Sequence, residues 1–399
     1  TRQKKVREFW ETGKLDPSCN VQFGEGGAGT FSDGKLTTGI KSPCMGWILE
    51  QFHEAGAREN ILFDAKPHIG TDVLVTVVQN LRKKIESLGG EVRFGCRVTG
   101  LEQTMGHLTG LIYEQAGETV HLDCDRAILS IGHSARDTFA MLLESGVPME
   151  PKAFSMGVRI EHRQSWLDRR QYGDAAGHPS LPPADYKLAA HLPDGNSAYT
   201  FCMCPGGQVV ASSSEMGGVV TNGMSNADRD GENCNAAVLV TLHPEDFPFS
   251  GVLGGMEWQR QLEQRCYKAG GSNYHAPAQL VGDFLNRKAS TKAASVRPTY
   301  APGVTFTDLH DCLPEKITDV LERALPELDK KLPGFADGDA VMTAPETRSS
   351  SPVRILRDET QQSALRGLFP CGEGAGYAGG ITSAAVDGVR CAEALLQSL

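Results

Sequence analysis

The segment Leu368-Phe369-Pro370-Cys371-Gly372-Glu373-Gly374-Ala375-Gly376-Tyr377-Ala378-Gly379-Gly380-Ile381-Thr382-Ser383 runs from a short apolar stretch through glycines into a helix start. That order lets backbone N–H groups approach an anionic or polar ligand, with the helix dipole assisting. Gly374, Gly376 and Gly379 fit G-x-G-x-x-G, but the match lies too near the end of the sequence for the βαβ unit and distal acid of a nicotinamide fingerprint. Gly29-Thr30-Phe31-Ser32-Asp33-Gly34-Lys35-Leu36 misses a P-loop by one residue, because Leu36 stands where a Mg²⁺-binding hydroxyl belongs. Gly132-His133-Ser134-Ala135-Arg136 follows an apolar run like a hydrolase nucleophile elbow, yet Arg136 replaces the second glycine. Ser134 reads better as a helix cap.

The 11 cysteines are odd in number and contain no CxxC pair; the closest spacing is Cys202-Met203-Cys204. Full disulfide pairing is impossible within one chain, which points to a reducing, cytoplasmic compartment. Most are read as small buried apolar side chains rather than redox groups. No zinc-type spacing occurs, so no metal is expected.

Several elements must hold these residues in place. Residues 21–38 form a Gly-rich loop region. From Thr71 the pattern turns helical, with Thr71 or Asp72 as cap, a stripe of Val73, Val77, Leu81, Ile85 and Leu88, and Gly89-Gly90 as the stop. β-like runs follow at Glu91–Phe94, Val98–Leu101, Leu108–Tyr113 and Val120–Leu122, then a buried strand at Ala127–Ile131 and a helix from near Ala135. The order is that of an α/β domain. Residues 151–345 differ in texture, with strand-like runs at Ser155–Glu161, Gln208–Ser212 and Ala237–Leu242 and helices near Gly255–Cys266 and Pro314–Leu325. They read as an inserted domain on an antiparallel or mixed sheet. α/β texture returns in the last 40 residues. The expected division is therefore 1–150, 151–345 and 346–399.

Composition narrows the classes. Of 399 residues, 40% are hydrophobic and 22% charged, which suits a soluble globular chain rather than a disordered one. No apolar run reaches the ~18–20 residues of a membrane helix. A net charge of −10 gives no help to nucleic-acid binding. The 45 glycines are clustered, which suggests close backbone geometry around a ligand. Residue 1 is Thr, and the basic, helical opening lacks the apolar centre of a secretory signal, so a processed or truncated start is expected.

Four segments taken together, Asn20–Leu36, His68–Leu74, Ile128–Arg136 and Phe369–Gly388, resemble the uncharacterised FAD-dependent dehydrogenases related to the glutathione-reductase-type flavoproteins. The resemblance spans nearly the whole chain. It implies an FAD-binding domain interrupted by a substrate domain, with FAD carrying hydride or electron transfer. By resemblance, Gly372 and Glu373 contact the ribityl or pyrophosphate region, and Gly379, Gly380, Ile381 and Thr382 form the helix start facing the flavin. Gly26, Gly27, Thr30, Phe31 and Ser32 pack beside the cofactor, Gly132 ends a strand passing near it, and Val98 meets adenine. The family's opening strand, G-x-G-x-x-G turn and helix do not precede residue 21, so the first βαβ unit is expected to be missing. Arg348, in the crossover Glu346–Arg354, is expected to face an anionic substrate or the flavin. Catalytic residues, substrate and electron acceptor are not assigned. The competing readings are a non-catalytic flavin or nucleotide-binding protein and a serine hydrolase using Ser134.

Overall fold

A computed structural model describes residues 1–399. The chain opens with α1 (Arg2–Thr12), crosses the Gly-rich loop, and forms α2 (Met45–Glu54) and α3 (Thr71–Ser87). An antiparallel meander follows, β1 (Cys96–Thr104), β2 (His107–Gln115) and β3 (Glu118–Asp123), then β4 (Ala127–Leu129), α4 (Arg136–Glu144) and β5 (Met149–Pro151). The middle of the chain carries β6 (Phe154–Arg163), α5 (Gln164–Tyr172), β7 (Ala189–His191), β8 (Ser197–Cys204), β9 (Gln208–Ala211), β10 (Thr221–Met224) and β11 (Asn233–Leu242). It continues through α6 (Gly254–Ala269), β12 (Ala276–Leu280), α7 (Val281–Leu285), β13 (Val304–Phe306), α8 (Glu315–Lys331) and β14 (Val341–Glu346). β15 (Val353–Ile355), β16 (Leu368–Pro370) and α9 (Ile381–Gln397) complete it.

The molecule is a mixed α/β structure built on a seven-stranded sheet of order β13-β12-β14-β6-β11-β8-β7. Only β12 and β13 run parallel in it. β6 shows why this sheet matters to the site. Phe154, Met156, Val158 and Ile160 alternate along it and enter the largest apolar core, which the stripe Ile317, Val320, Leu321, Ala324 and Leu328 of α8 covers. The opposite face carries Arg159 and Glu161, both 0% exposed, into the interior beside the cavity described below. A two-stranded parallel pair, β16 on β4, brings residues from near both ends of the chain together, with Leu368 opposite Ala127.

Three local expectations change. Gly70, not Thr71 or Asp72, occupies the cap position of α3. The Thr71 hydroxyl instead donates to the Thr30 carbonyl, and Asp72 accepts from the Ala227 amide, so both capping groups are spent on tertiary contacts. Only the first half of the α3 stripe is buried: Ile85 is 51% and Leu88 79% exposed, because the helix runs on past the small core around Leu74 and Val77. Residues 91–94 are not a strand; the Arg93 side chain ties that stretch to Glu91 and to the Tyr113 hydroxyl.

No helix is long and apolar enough to cross a membrane.

Candidate functional site

The two glycine-rich segments meet at a cavity of about 550 Å³, lined by Gly29, Ser32 and Lys35 on one side and Glu373, Gly379, Gly380 and Ile381 on another. The β8 end together with Glu346, Arg348 and Ser349 forms a further wall. That volume falls in the usual ~300–1,000 Å³ range of small-molecule sites.

Each turn is held by a specific contact. The Arg2 guanidinium donates to the carbonyls of Asn20, Val21, Glu25 and Gly27 and so pins the first glycine loop from α1. Burial holds this guanidinium down, to about 10. Nothing in the local pattern of Arg2 signals this role; only the loop's exposed carbonyls explain it. Ser32 closes its own turn, donating to the Gly29 carbonyl at 2.6 Å and accepting from the Gly34 amide at 3.1 Å. The second turn is braced by Asp387, which accepts from the Gly372 amide at 2.7 Å and pairs with Arg357. Gly374 has no room for a side chain, since a Cβ there would lie 2.6 Å from the Gly132 carbonyl. The turn after β4 and the turn after β16 are therefore pressed together, level with one another.

This closeness sets up a pair of side chains. His133 Nδ1 lies 2.9 Å from Glu373 Oε1, and both residues line the cavity. His133 is 8% exposed, and its Nε2 is buried without a partner. With the carboxylate ionised, Nδ1 carries the proton and Nε2 presents a lone pair. Tyr186, another lining residue, has a buried hydroxyl that is also without a partner.

The charges on the wall lean positive. Lys35, Lys66, Lys187, Arg229 and Arg348 outnumber Asp185, Glu346 and Glu373, on a chain whose net charge is −10. Some of these cations are engaged: Asp33, 0% exposed, pairs with both Lys35 and Arg229, and these partners hold its carboxyl below the ordinary range although burial is the largest single influence and pushes upward. Arg348 is also engaged. It shares Glu263 with Arg136, its Nε and Nη2 donating to the carboxylate at 3.0 and 2.9 Å and its Nη1 to Ser214. Burial is the larger influence on Arg348 and holds it below its ordinary value despite Glu263. The expectation of a guanidinium free for substrate is thus replaced by one locked in an ion network at the cavity edge.

The other sequence-derived positions fall in three groups. Ser32, Glu373, Gly379, Gly380 and Ile381 reach the cavity surface, and Gly29, to which the resemblance assigns no role, joins them there. Gly26, Gly27, Thr30, Phe31, Gly132, Gly372 and Thr382 stand behind it and shape the turns: Phe31 packs with Val6 and Val21, and the Thr382 hydroxyl donates to the Leu36 carbonyl at 2.8 Å, tying α9 to the first loop. Val98 lies elsewhere, 37% exposed on β1 of the separate meander. Ser134 donates to Gln22 Oε1 at 3.0 Å, and no histidine reaches its oxygen.

These residues fit FAD. An orphaned buried imidazole nitrogen and an orphaned phenol supply polar contacts. At Gly379, in the cavity wall, a Cβ would meet nothing within 4 Å, so space is open beside the backbone. The first-turn amides of α9 lack intrahelical acceptors.

Comparison with known proteins gives three findings. Residues 153–349 match the family described as FAD-dependent protein, C-terminal domain-like. An uncharacterized protein of Clostridium beijerinckii is 46% identical over 398 residues, covering 99% of this chain and 74% of its own length. Among solved structures, a flavin-dependent brominase is 12% identical with a TM-score of 0.34, over 84% of this chain and 56% of that one. An E. coli quinol fumarate reductase is 11% identical with a TM-score of 0.38, over 88% and 54%. The chain spans a little over half the length of these two solved proteins.

Proposed function

Because this chain belongs to the family of the Clostridium beijerinckii protein and takes FAD as its cofactor, we propose that it is an FAD-dependent oxidoreductase of the dehydrogenase type. In this reading the architecture is glutathione-reductase-like, with residues 1–150 and 346–399 forming the cofactor domain and 151–345 the substrate domain. The observation that carries it is the convergence of both glycine-rich turns on one cavity beside His133 and Glu373.

FAD, when bound, supplies the two-electron chemistry. The protein's part is binding, orientation and charge. Gly29, Ser32, Gly379 and Gly380 offer backbone at close range, where side chains would exclude a ligand. The start of α9 places amides and the positive end of the helix dipole at the cavity, which favours negative charge there. Glu373 fixes the His133 ring through Nδ1 and leaves Nε2, which has no partner in the protein, for the ligand. Lys187, exposed at the rim, favours entry of an anionic small molecule, while Lys66 beside it is paired with Asp185 at 2.7 Å. Eleven free thiols support a cytoplasmic setting.

The test is a visible spectrum after incubation with FAD and desalting. Retained flavin bands that dithionite bleaches, and that an anionic donor or acceptor alters, support the proposal. A colourless protein would overturn the claim that this chain is itself a holoenzyme.

A further inference from the structure

One wall of the cavity carries a pair of thiols that the reading above does not use. β8 follows β11 in regular antiparallel register from Ala198 to Phe201, and then Cys204 pairs with Asn235. One residue too many lies on β8, so the strand bulges at Cys202 and Met203. Cys202 takes up the excess with a φ of 42°, a left-handed conformation that a residue with a side chain adopts only when its surroundings impose it. The bulge sets Cys202 in the cavity wall, while Cys204 is fully buried behind it with its Sγ turned back to the Cys202 carbonyl at 3.3 Å.

Two cations bracket this turn. Lys35 Nζ donates to the Met203 carbonyl, and Arg159 Nη1 donates to the Cys202 carbonyl at 3.0 Å. Each also has a carboxylate, Asp33 for Lys35 and Glu346 for Arg159. Arg229 shares Asp33. Three cations therefore stand against two carboxylates beside the thiols. Glu161 is the remaining buried acid in this region. Its own donors are Thr299 and Asn233, and burial pushes its carboxyl up. His68, near Arg229, is held down by burial and bonds the Ala227 carbonyl, so it adds no cation. Besides these acids, the titratable groups facing the cations here are the two thiols and Tyr186, whose phenol burial pushes well up.

We propose that Cys202 and Cys204 form a two-electron dithiol centre in which Cys202, as thiolate, attacks a hydroperoxide admitted to the cavity and Cys204 resolves the product. Cys202 Sγ bonds to one peroxide oxygen as the O–O bond breaks, and the departing oxygen takes a proton to leave as alcohol or water. Cys204 Sγ then bonds to Cys202 Sγ, its proton leaving with the hydroxyl as water. The thiols lose two electrons and the peroxide gains them. The neighbouring Cys204 side chain draws the Cys202 thiol below the ordinary cysteine range, and Arg159 and Lys35 act in the same sense, against burial.

The experiment treats the purified full chain with one equivalent of hydrogen peroxide, then counts thiols and maps peptides by mass. Two of the 11 thiols should be lost, with a 202–204 cross-link. Cys204→Ser should trap a dimedone-reactive sulfenic acid at Cys202, and Cys202→Ser should leave Cys204 untouched. Without peroxide, iodoacetamide should label Cys202 with a midpoint below the ~8.5 of an ordinary thiol, and Lys35→Gln should raise that midpoint while the protein stays folded. Loss of other thiols first, or labelling of Cys202 only at ordinary thiol pH, would overturn the proposal.

Discussion

His133 and Glu373 are 240 positions apart in the sequence, and their Nδ1 and Oε1 atoms are 2.9 Å apart in space. The parallel pairing of β4 with β16 makes them neighbours, because both strands end at the same level and release their turns side by side. The glycines at 132 and 374 allow the turns to touch.

Removing the imidazole should weaken cofactor binding without unfolding the protein. For His133→Ala we expect the FAD dissociation constant to rise about tenfold, the scale of one lost hydrogen bond at ~1–1.5 kcal/mol. Glu373→Gln should weaken it less, since the amide oxygen still accepts from Nδ1. Quenching of FAD fluorescence gives both constants, and an unchanged value for His133→Ala would remove the imidazole from the site.

The Arg136–Glu263–Arg348 network predicts a large stability effect. Glu263 is 1% exposed, and its two guanidinium partners hold its carboxyl at about 2 although burial alone would raise it. Glu263→Gln leaves the buried Arg348 without a carboxylate and Arg136 with Glu215 alone, and should destabilise by ~3–5 kcal/mol at neutral pH. A depressed carboxyl contributes stability above its unfolded value near 4.5 and loses it as pH falls toward 2, so the gap between variant and parent should close over that window. Urea titrations at several pH values measure it. Arg348→Gln should destabilise less than Arg136→Gln, because burial outweighs the ion pair for Arg348, whereas Arg136 is raised despite its burial.

Two glycines five residues apart, Gly374 and Gly379, should respond differently to alanine. At Gly379, in the cavity wall, a Cβ would meet nothing, so Gly379→Ala should keep the melting temperature and lose FAD affinity as the methyl enters cofactor space. Gly374→Ala forces its Cβ against the Gly132 carbonyl and should lower both, the stability by ~1–3 kcal/mol. Equal melting temperatures for the two variants would contradict the packing described.

A fluorophosphonate probe should not label this protein at Ser134. Its hydroxyl proton is given to Gln22, and the adjacent imidazole is turned to Glu373 rather than to the serine. Labelling that disappears in Ser134→Ala would revive the hydrolase reading.

The sequence made much of the outline legible, through period and punctuation. The helix from Thr71, the meander, the strand before Gly132 and the helix after Gly380 all carry local signals. What it could not convey depends on partners far along the chain. Thr71 and Asp72 have the chemistry of caps, but Thr30 and Ala227 claim their side chains. Ile85 and Leu88 continue an apolar stripe that the packing abandons. Cys202 and Cys204 read as small buried apolar side chains until the register of their strand against Asn235 and Ala237 is known. Arg2 looks like one more basic residue in a basic opening, although four carbonyls of the glycine loop converge on it.

The pairing of Leu368 with Ala127 has a consequence in time as well as in space. During synthesis the first turn emerges long before the second, and the whole seven-stranded sheet must be made in between. Contacts this distant in sequence form late and slowly. The cavity is then among the last features to appear on a newly made chain, and a cofactor would meet a finished sheet before it met a finished pocket. A cut anywhere between the two strands would leave each turn intact on its own piece and the pocket without a floor.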